Sequence, residues 1–127
     1  MMQKLNKEHM KRHPKKPTEA QNLKAIKDWL RAKGYLYVRV NNLRLSPKNK
    51  QGKRFFVPVD RELLGAPDLL VFERDSDPAL CRVYALEVKS HRGRLSPQQV
   101  EWAKRASRVG ISCHVVRSVD EVEKLLV

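Results

Sequence analysis

At 127 residues, with 27 Lys and Arg against 14 Asp and Glu and a formal charge of +13, the chain reads as one basic domain. That excess points to a polyanionic partner, nucleic acid before membrane. No apolar run reaches transmembrane length and no segment has signal-peptide character, which predicts a cytoplasmic protein.

Residues 1–17 form a basic N-terminal arm, with Lys4, Lys7, Lys11, Arg12, Lys15 and Lys16 set against Glu8. Such an arm either touches phosphates or simply solubilises the chain, and Pro14 and Pro17 stop any helix at its end. The folded domain is expected over 18–127. Thr18 caps a helix over Glu19–Lys33 that Gly34 ends. Leu23, Ile26 and Leu30 make its apolar stripe, and Glu19 stands at the N-terminal end of that stripe. This acid either serves the helix dipole or reaches towards a site.

Tyr35 to Asn42 alternates as a strand, with Leu36, Val38 and Val40 on one face and Arg39 on the other. The basic segment 43–61 carries Arg44, Lys48, Lys50, Lys53, Arg54 and Arg61, with turn signals at Ser46-Pro47 and Gln51-Gly52. It reads as a projecting hairpin or long loop, and its length points to binding or dimer contact. Arg54 could hold a phosphate beside Phe55 and Phe56, two rings better suited to packing on the domain.

Gly65 and Pro67 lead into a strand over Leu69–Phe72, with Asp68 at its first position. After the polar turn Glu73–Pro78, the strand Arg82–Ser90 places Tyr84, Leu86 and Val88 on one face and Val83, Ala85, Glu87 and Lys89 on the other. A carboxylate and an ammonium share one face at the end of a strand that otherwise reads as core. That is either a strand-end salt bridge or a site. If the two strands form an antiparallel hairpin, pairing Asp68 with Glu87 centres the turn between Asp77 and Pro78, inside the polar stretch. Asp68, Glu87 and Lys89 then converge. The two cysteines, Cys81 and Cys113, lie in apolar strand-like stretches and are expected to be reduced core thiols, with no disulfide or zinc set.

Ser96 as cap, Pro97 at the first helical position and Gln99 three after the cap start a helix that runs to about Arg108 and ends at Gly110. Gln99 closes this capping box or positions a group at the site. Ile111 to Arg117 is a further strand, in which His114 reads as an ordinary strand residue. Ser118 to Glu121 is a second capping box, opening a final helix that uses Val122, Leu125 and Leu126. The order α-β-(hairpin)-β-β-α-β-α gives an α/β domain with a central mixed sheet flanked by helices.

Carboxylates beside one lysine, at the edge of a basic surface, suit metal-dependent phosphodiester hydrolysis. Mg²⁺ takes hard oxygen ligands and needs only one or two carboxylates. Asp68 and Glu87 would hold it, with the backbone carbonyl of Val88 as a further oxygen and Glu19 able to complete the shell. Lys89 would orient water or stabilise developing charge, and Gln99 would position water or Lys89. His91 and Arg92 follow as candidates for phosphate contacts, and Arg39, Arg44, Lys53, Arg54 and Arg94 complete the DNA-binding set.

Pro67-Asp68 followed by Glu87-Val88-Lys89 resembles the PD-(D/E)XK nuclease signature. Glu19, Gly65-Ala66-Pro67-Asp68-Leu69, Leu86-Glu87-Val88-Lys89-Ser90 and Gly93-Arg94-Leu95-Ser96-Pro97-Gln98-Gln99-Val100-Glu101-Trp102 resemble the VRR-NUC family in order. This similarity spans about Thr18 to Leu126. It implies a restriction-endonuclease-like fold, catalytic roles for Asp68, Glu87 and Lys89, and family positions for Gln99 and Glu19. Similarity to phage-type Holliday junction resolvases further implies Mg²⁺ dependence with Mn²⁺ able to substitute, a homodimer, and four-way DNA junctions as substrate, in the cytoplasm and, for a phage-encoded enzyme, in the host cell. Flap or duplex cleavage by the same chemistry, and a catalytically silent DNA-binding protein, are the alternatives. The basic segment 43–61 is longer than a minimal member needs.

Overall fold

The computed structural model describes residues 15–40, 49–53 and 61–126. Most of the basic arm and most of the segment 43–61, including Arg44, Arg54, Phe55 and Phe56, lie outside the described residues. Helix α1 (Glu19–Lys33) opens on a reciprocal capping box: Thr18 Oγ1 accepts from the Gln21 N–H at 3.1 Å, and Gln21 Oε1 accepts from the Thr18 N–H at 2.9 Å. Such a cap is worth about 1 kcal/mol. Gly34 ends the helix at φ +80°, a left-handed conformation that a side chain would strain.

Strand β1 (Leu36–Arg39) follows, and a short 3₁₀ turn (Arg61–Leu63) precedes strands β2 (Leu69–Arg74) and β3 (Cys81–Val88). Helix α2 (Pro97–Arg108), strand β4 (Ser112–Val116) and helix α3 (Val119–Leu125) complete the chain. The sheet runs β1-β2-β3-β4, antiparallel except for the parallel β3–β4 pair that α2 connects. A four-stranded mixed sheet flanked by three helices is the architecture of a restriction-endonuclease-like core.

One face of the sheet carries the core. Ile26 and Leu30 from α1 meet Leu69, Val71, Leu86, Val88 and Val116, with Val122 and Leu126 closing the far side. Each such side chain contributes about 2 kcal/mol on burial. The opposite face is covered differently along its width. Helix α2 packs on β4 and lines a cavity with Ala85 and Glu87 of β3, whereas Leu36 and Val38 of β1 stand 67% and 49% exposed.

The expected hairpin register is the observed one. Leu69 pairs with Leu86 and Arg74 with Cys81, so the same register continued by one residue sets Asp68 opposite Glu87. Two details differ from expectation. Cys81 is exposed, because it starts β3 at the turn end, where no helix among the described residues covers the strand; Cys113 is half-buried under α2. At α3, Ser118 Oγ accepts from the Glu121 N–H, but the Glu121 carboxylate accepts from the N–H of Arg117, one residue ahead of the capping residue.

Candidate active site

Three elements bring the acids together. Asp68 stands just before β2, and its Oδ2 accepts from the Val88 N–H at 2.7 Å. Glu87, next to last in β3, is 7% exposed, facing an apolar cavity lined by Pro67, Ala85, Leu95, Trp102 and Cys113. Glu19, the first residue of α1, is more exposed and reaches in from the side. One oxygen from each of these carboxylates lies within 4.8 Å of the others.

Such crowding has an electrostatic signature. Burial pushes the Glu87 carboxyl up to about 8; Asp68, through its charge and its hydrogen bond, pushes the same way, and Glu19 adds to it against the opposing pull of Lys89. Three hard oxygen donors converging on one point, one of them unwilling to ionise alone, fit the ligand chemistry of a divalent cation.

Lys89 Nζ sits 3.8 Å from Glu19 Oε1 and 3.8 Å from Glu87 Oε1, too far to be a hydrogen bond to either. Its ammonium neutralises part of the cluster without being locked to it. Gly93 makes this placement feasible: a Cβ there would stand 3.1 Å from Lys89 Cβ and 3.2 Å from its Cδ. The loop after β3 thus forms a wall along the lysine stem.

Gln99 does both things the sequence offered it. Its Oε1 accepts from the Ser96 N–H at 2.8 Å, closing the capping box, while its Nε2 donates to Glu87 Oε1 at 2.9 Å. With the oxygen committed to the helix cap, the amide nitrogen is turned to the carboxylate.

Three residues that the sequence did not single out hold the arrangement. Asn22, buried on α1, donates from Nδ2 to the Lys89 carbonyl at 3.0 Å. The Lys89 N–H in turn donates to the Val116 carbonyl at 3.0 Å, so this backbone unit is tied on both sides. Arg117 donates to the Gly93 carbonyl at 2.7 Å and fixes the lysine wall. A signal for Asn22 was present: it lies at i−4 from Ile26 on the buried stripe, where an apolar residue is expected.

The basic candidates divide. His91, Arg92 and Arg94 are exposed in the loop directly after Lys89. His91 is held below the ordinary histidine range by partial loss of water and by Lys16, Arg92 and Arg117, so three cationic side chains gather around it. Arg39 ends β1 opposite Leu69, at the same end of the sheet. Lys53 belongs to a turn organised by Asn49, and no contact among the described residues brings it to the cluster. Arg44 and Arg54 lie outside the described residues.

No curated protein and no solved structure matches the chain significantly. The family model described as the VRR-NUC domain matches residues 17–120, a span that takes in Glu19, Asp68, Glu87, Lys89 and Gln99. With most of its length matched, the chain belongs to the VRR-NUC domain family and is a nuclease-type domain of the PD-(D/E)XK kind, with DNA as its substrate class.

Proposed function

We propose that the protein is a divalent-metal-dependent, structure-selective DNA endonuclease of the Holliday junction resolvase type, active in the cytoplasm as a homodimer. The observation that carries this reading is the triad of Glu19, Asp68 and Glu87 oxygens within 4.8 Å of one another. Lys89 stands beside them. Asp68 and Glu87 would hold Mg²⁺, or Mn²⁺ in its place, with the Val88 carbonyl and Glu19 as further oxygens. A bound cation there supplies Lewis-acid polarisation of the phosphate and a more acidic water.

The chain's own groups do the rest. Gln99 holds the Glu87 carboxylate in one orientation, so the ligand oxygens need little rearrangement on loading. Lys89, close to the cluster yet hydrogen-bonded to neither acid, is placed to orient water or to meet negative charge growing on the phosphate. His91, Arg92 and Arg94 extend positive potential outward along the backbone of bound DNA. Two such sites related by a twofold axis suit the symmetric strands of a four-way junction.

Junction, flap and linear duplex DNA, each with and without Mg²⁺ or Mn²⁺, provide the test, run on the wild type, Asp68→Ala and Lys89→Ala. Paired nicks in junctions, by a species that sediments as a dimer, are expected only with metal and only from the wild type. Junction binding without cleavage under either metal would sink the enzyme reading. Equal cutting of linear duplex would remove the resolvase specificity and leave a nuclease.

A further inference from the structure

The turn that follows Lys89 is fastened more firmly than an exposed connection requires. The Lys89 N–H donates to the Val116 carbonyl and Asn22 donates to the Lys89 carbonyl, both at 3.0 Å. The Gly93 N–H then closes a turn on the Ser90 carbonyl at 3.1 Å. Arg117, just past β4, donates from Nη2 to the Gly93 carbonyl at 2.7 Å. His91 and Arg92 occupy the two middle positions of this turn, and both are exposed. The base of the turn is thus tied to α1 and β4 while its tip faces outward.

Three cations from separate segments surround that tip. Lys16 lies on the chain entering α1, Arg92 on the turn itself, and Arg117 beyond β4. Partial loss of water, and then repulsion from these three, hold His91 below its ordinary range. Among the described residues, none of the three is ion-paired. Glu19 and Glu87 stand with Lys89, and the Glu121 carboxylate takes the backbone N–H of Arg117 rather than its guanidinium. A cation placed only to balance the acids would reach one, as Lys89 does. Arg117 is also half-buried and fixed through Nη2, so its planar fork keeps one orientation, with further donors that have no partner among the described residues. Cations held in place with no acid in the fold to meet them suit an anion from outside it. With DNA as the substrate class, that anion is a phosphate.

We infer that Arg117, Arg92 and Lys16, gathered around His91, form a phosphate subsite separate from the acid cluster, which grips a DNA phosphate other than the one being cut. Its part in cleavage rests on the nuclease reading above and deepens it: the turn begins directly after Lys89, so the strand gripped here is the one presented to the acids. Arg117 braces the turn through Gly93 and turns the rest of its fork to the phosphate. A backbone diester and a terminal phosphate at a strand end offer the same oxygens, and the test separates them.

Binding is measured with the metal-free protein in EDTA, and cleavage separately with Mg²⁺ or Mn²⁺. One set of branched DNAs carries a neutral methylphosphonate in place of a single backbone phosphate, moved one position at a time through the branch. A second set of nicked duplexes has or lacks a 5′-phosphate at the nick. Each is bound by wild type, Arg92→Ala, Arg117→Gln and Arg82→Ala, the last removing a cation from the opposite end of β3. At one phosphate, neutralisation or removal is expected to weaken wild type and Arg82→Ala about tenfold. The same change should cost Arg92→Ala and Arg117→Gln little, because its partner is already gone. Should Arg117→Gln be unstable, the exposed Lys16→Ala replaces it.

Non-additive loss at an internal phosphate assigns the subsite to the DNA backbone, and non-additive loss confined to the 5′-phosphate assigns it to a strand end. Losses that simply add at every position and every end would overturn the subsite and leave only the general attraction of a basic surface. Coupled binding without cleavage under either metal would keep the subsite and overturn the nuclease reading. Metal-dependent cleavage with purely additive binding would do the reverse.

Discussion

At the turn end of the β2–β3 hairpin, Arg82 stands between Glu73 at 3.9 Å and Asp75 at 3.5 Å; at the other end, Lys89 stands between Glu19 and Glu87 at 3.8 Å each. The residue types and separations are nearly the same. What differs is water and the number of acids. The Arg82 side chain is 49% exposed against 15% for Lys89, and only the Lys89 end has a further carboxylate pressed against its buried acid. Hydrogen bonds from the backbone and hydroxyl of Ser76 hold the Asp75 carboxyl below its usual range, whereas burial and Asp68 drive Glu87 up to about 8. The turn end sets two acids against a half-exposed guanidinium, although one Glu73 oxygen is buried without a hydrogen-bond partner among the described residues. The other stores an imbalance that a cation would relieve.

The sharpest way to break this contrast is to remove an acid from the crowded end. Asp68→Ala is expected to reduce cleavage by about a thousandfold or more and to abolish Mn²⁺ binding, read by single-turnover kinetics and metal titration. Lys89→Ala should lower the cleavage rate by about a hundredfold while moving the melting temperature only a few degrees. A large loss of stability there would mean that the lysine is a structural ion-pair partner.

Protonation sharpens the contrast further. The folded-state pKa of Glu87 lies above its ordinary value of 4.5, so its contribution to stability is present below that value and is lost as pH rises towards and through about 8. Thermal melts of the metal-free protein from pH 5 to 9 should therefore show wild type losing ground to Glu87→Gln as pH rises. Metal should bind more tightly over the same range, because loading displaces the proton. A smaller effect is expected at Asn22. Asn22→Ala leaves the Lys89 carbonyl without its donor, at about 1–3 kcal/mol in stability and about tenfold in cleavage rate, with Mn²⁺ affinity unchanged. Arg82→Ala should do least, within about 1 kcal/mol of wild type by denaturant melts and with full activity. Comparable losses at Arg82 and Lys89 would erase the distinction between the two ends.

Much of this was legible in the sequence, for reasons that can be named. The register of β2 on β3 followed from a polar turn of fixed length between two strands, so Asp68 met Glu87 as expected. Caps announced α1 and α2 because Thr18, Ser96 and Pro97 act through local hydrogen bonds and fixed φ angles. Exposure of Cys81 was not legible, since an apolar run does not reveal where a covering helix stops. The two readings of Gln99 looked like alternatives because residue type alone does not show that an amide can serve the cap with its oxygen and the site with its nitrogen. Asn22 was visible as a polar break in an apolar stripe, but its partner is a backbone carbonyl, which no pattern of side chains displays.

The bonds from the Lys89 N–H to the Val116 carbonyl and from the Arg117 guanidinium to the Gly93 carbonyl carry a consequence for how the enzyme is made. A nascent chain emerges from its N-terminal end, so Asp68, Glu87 and Lys89 leave the ribosome before β4 and α3 exist to hold the lysine and its wall in place. Until Val116 and Arg117 have emerged and docked, the acids are assembled without a fixed lysine beside them. Synthesis order thus sets assembly order: the acids can meet before the lysine beside them is fixed.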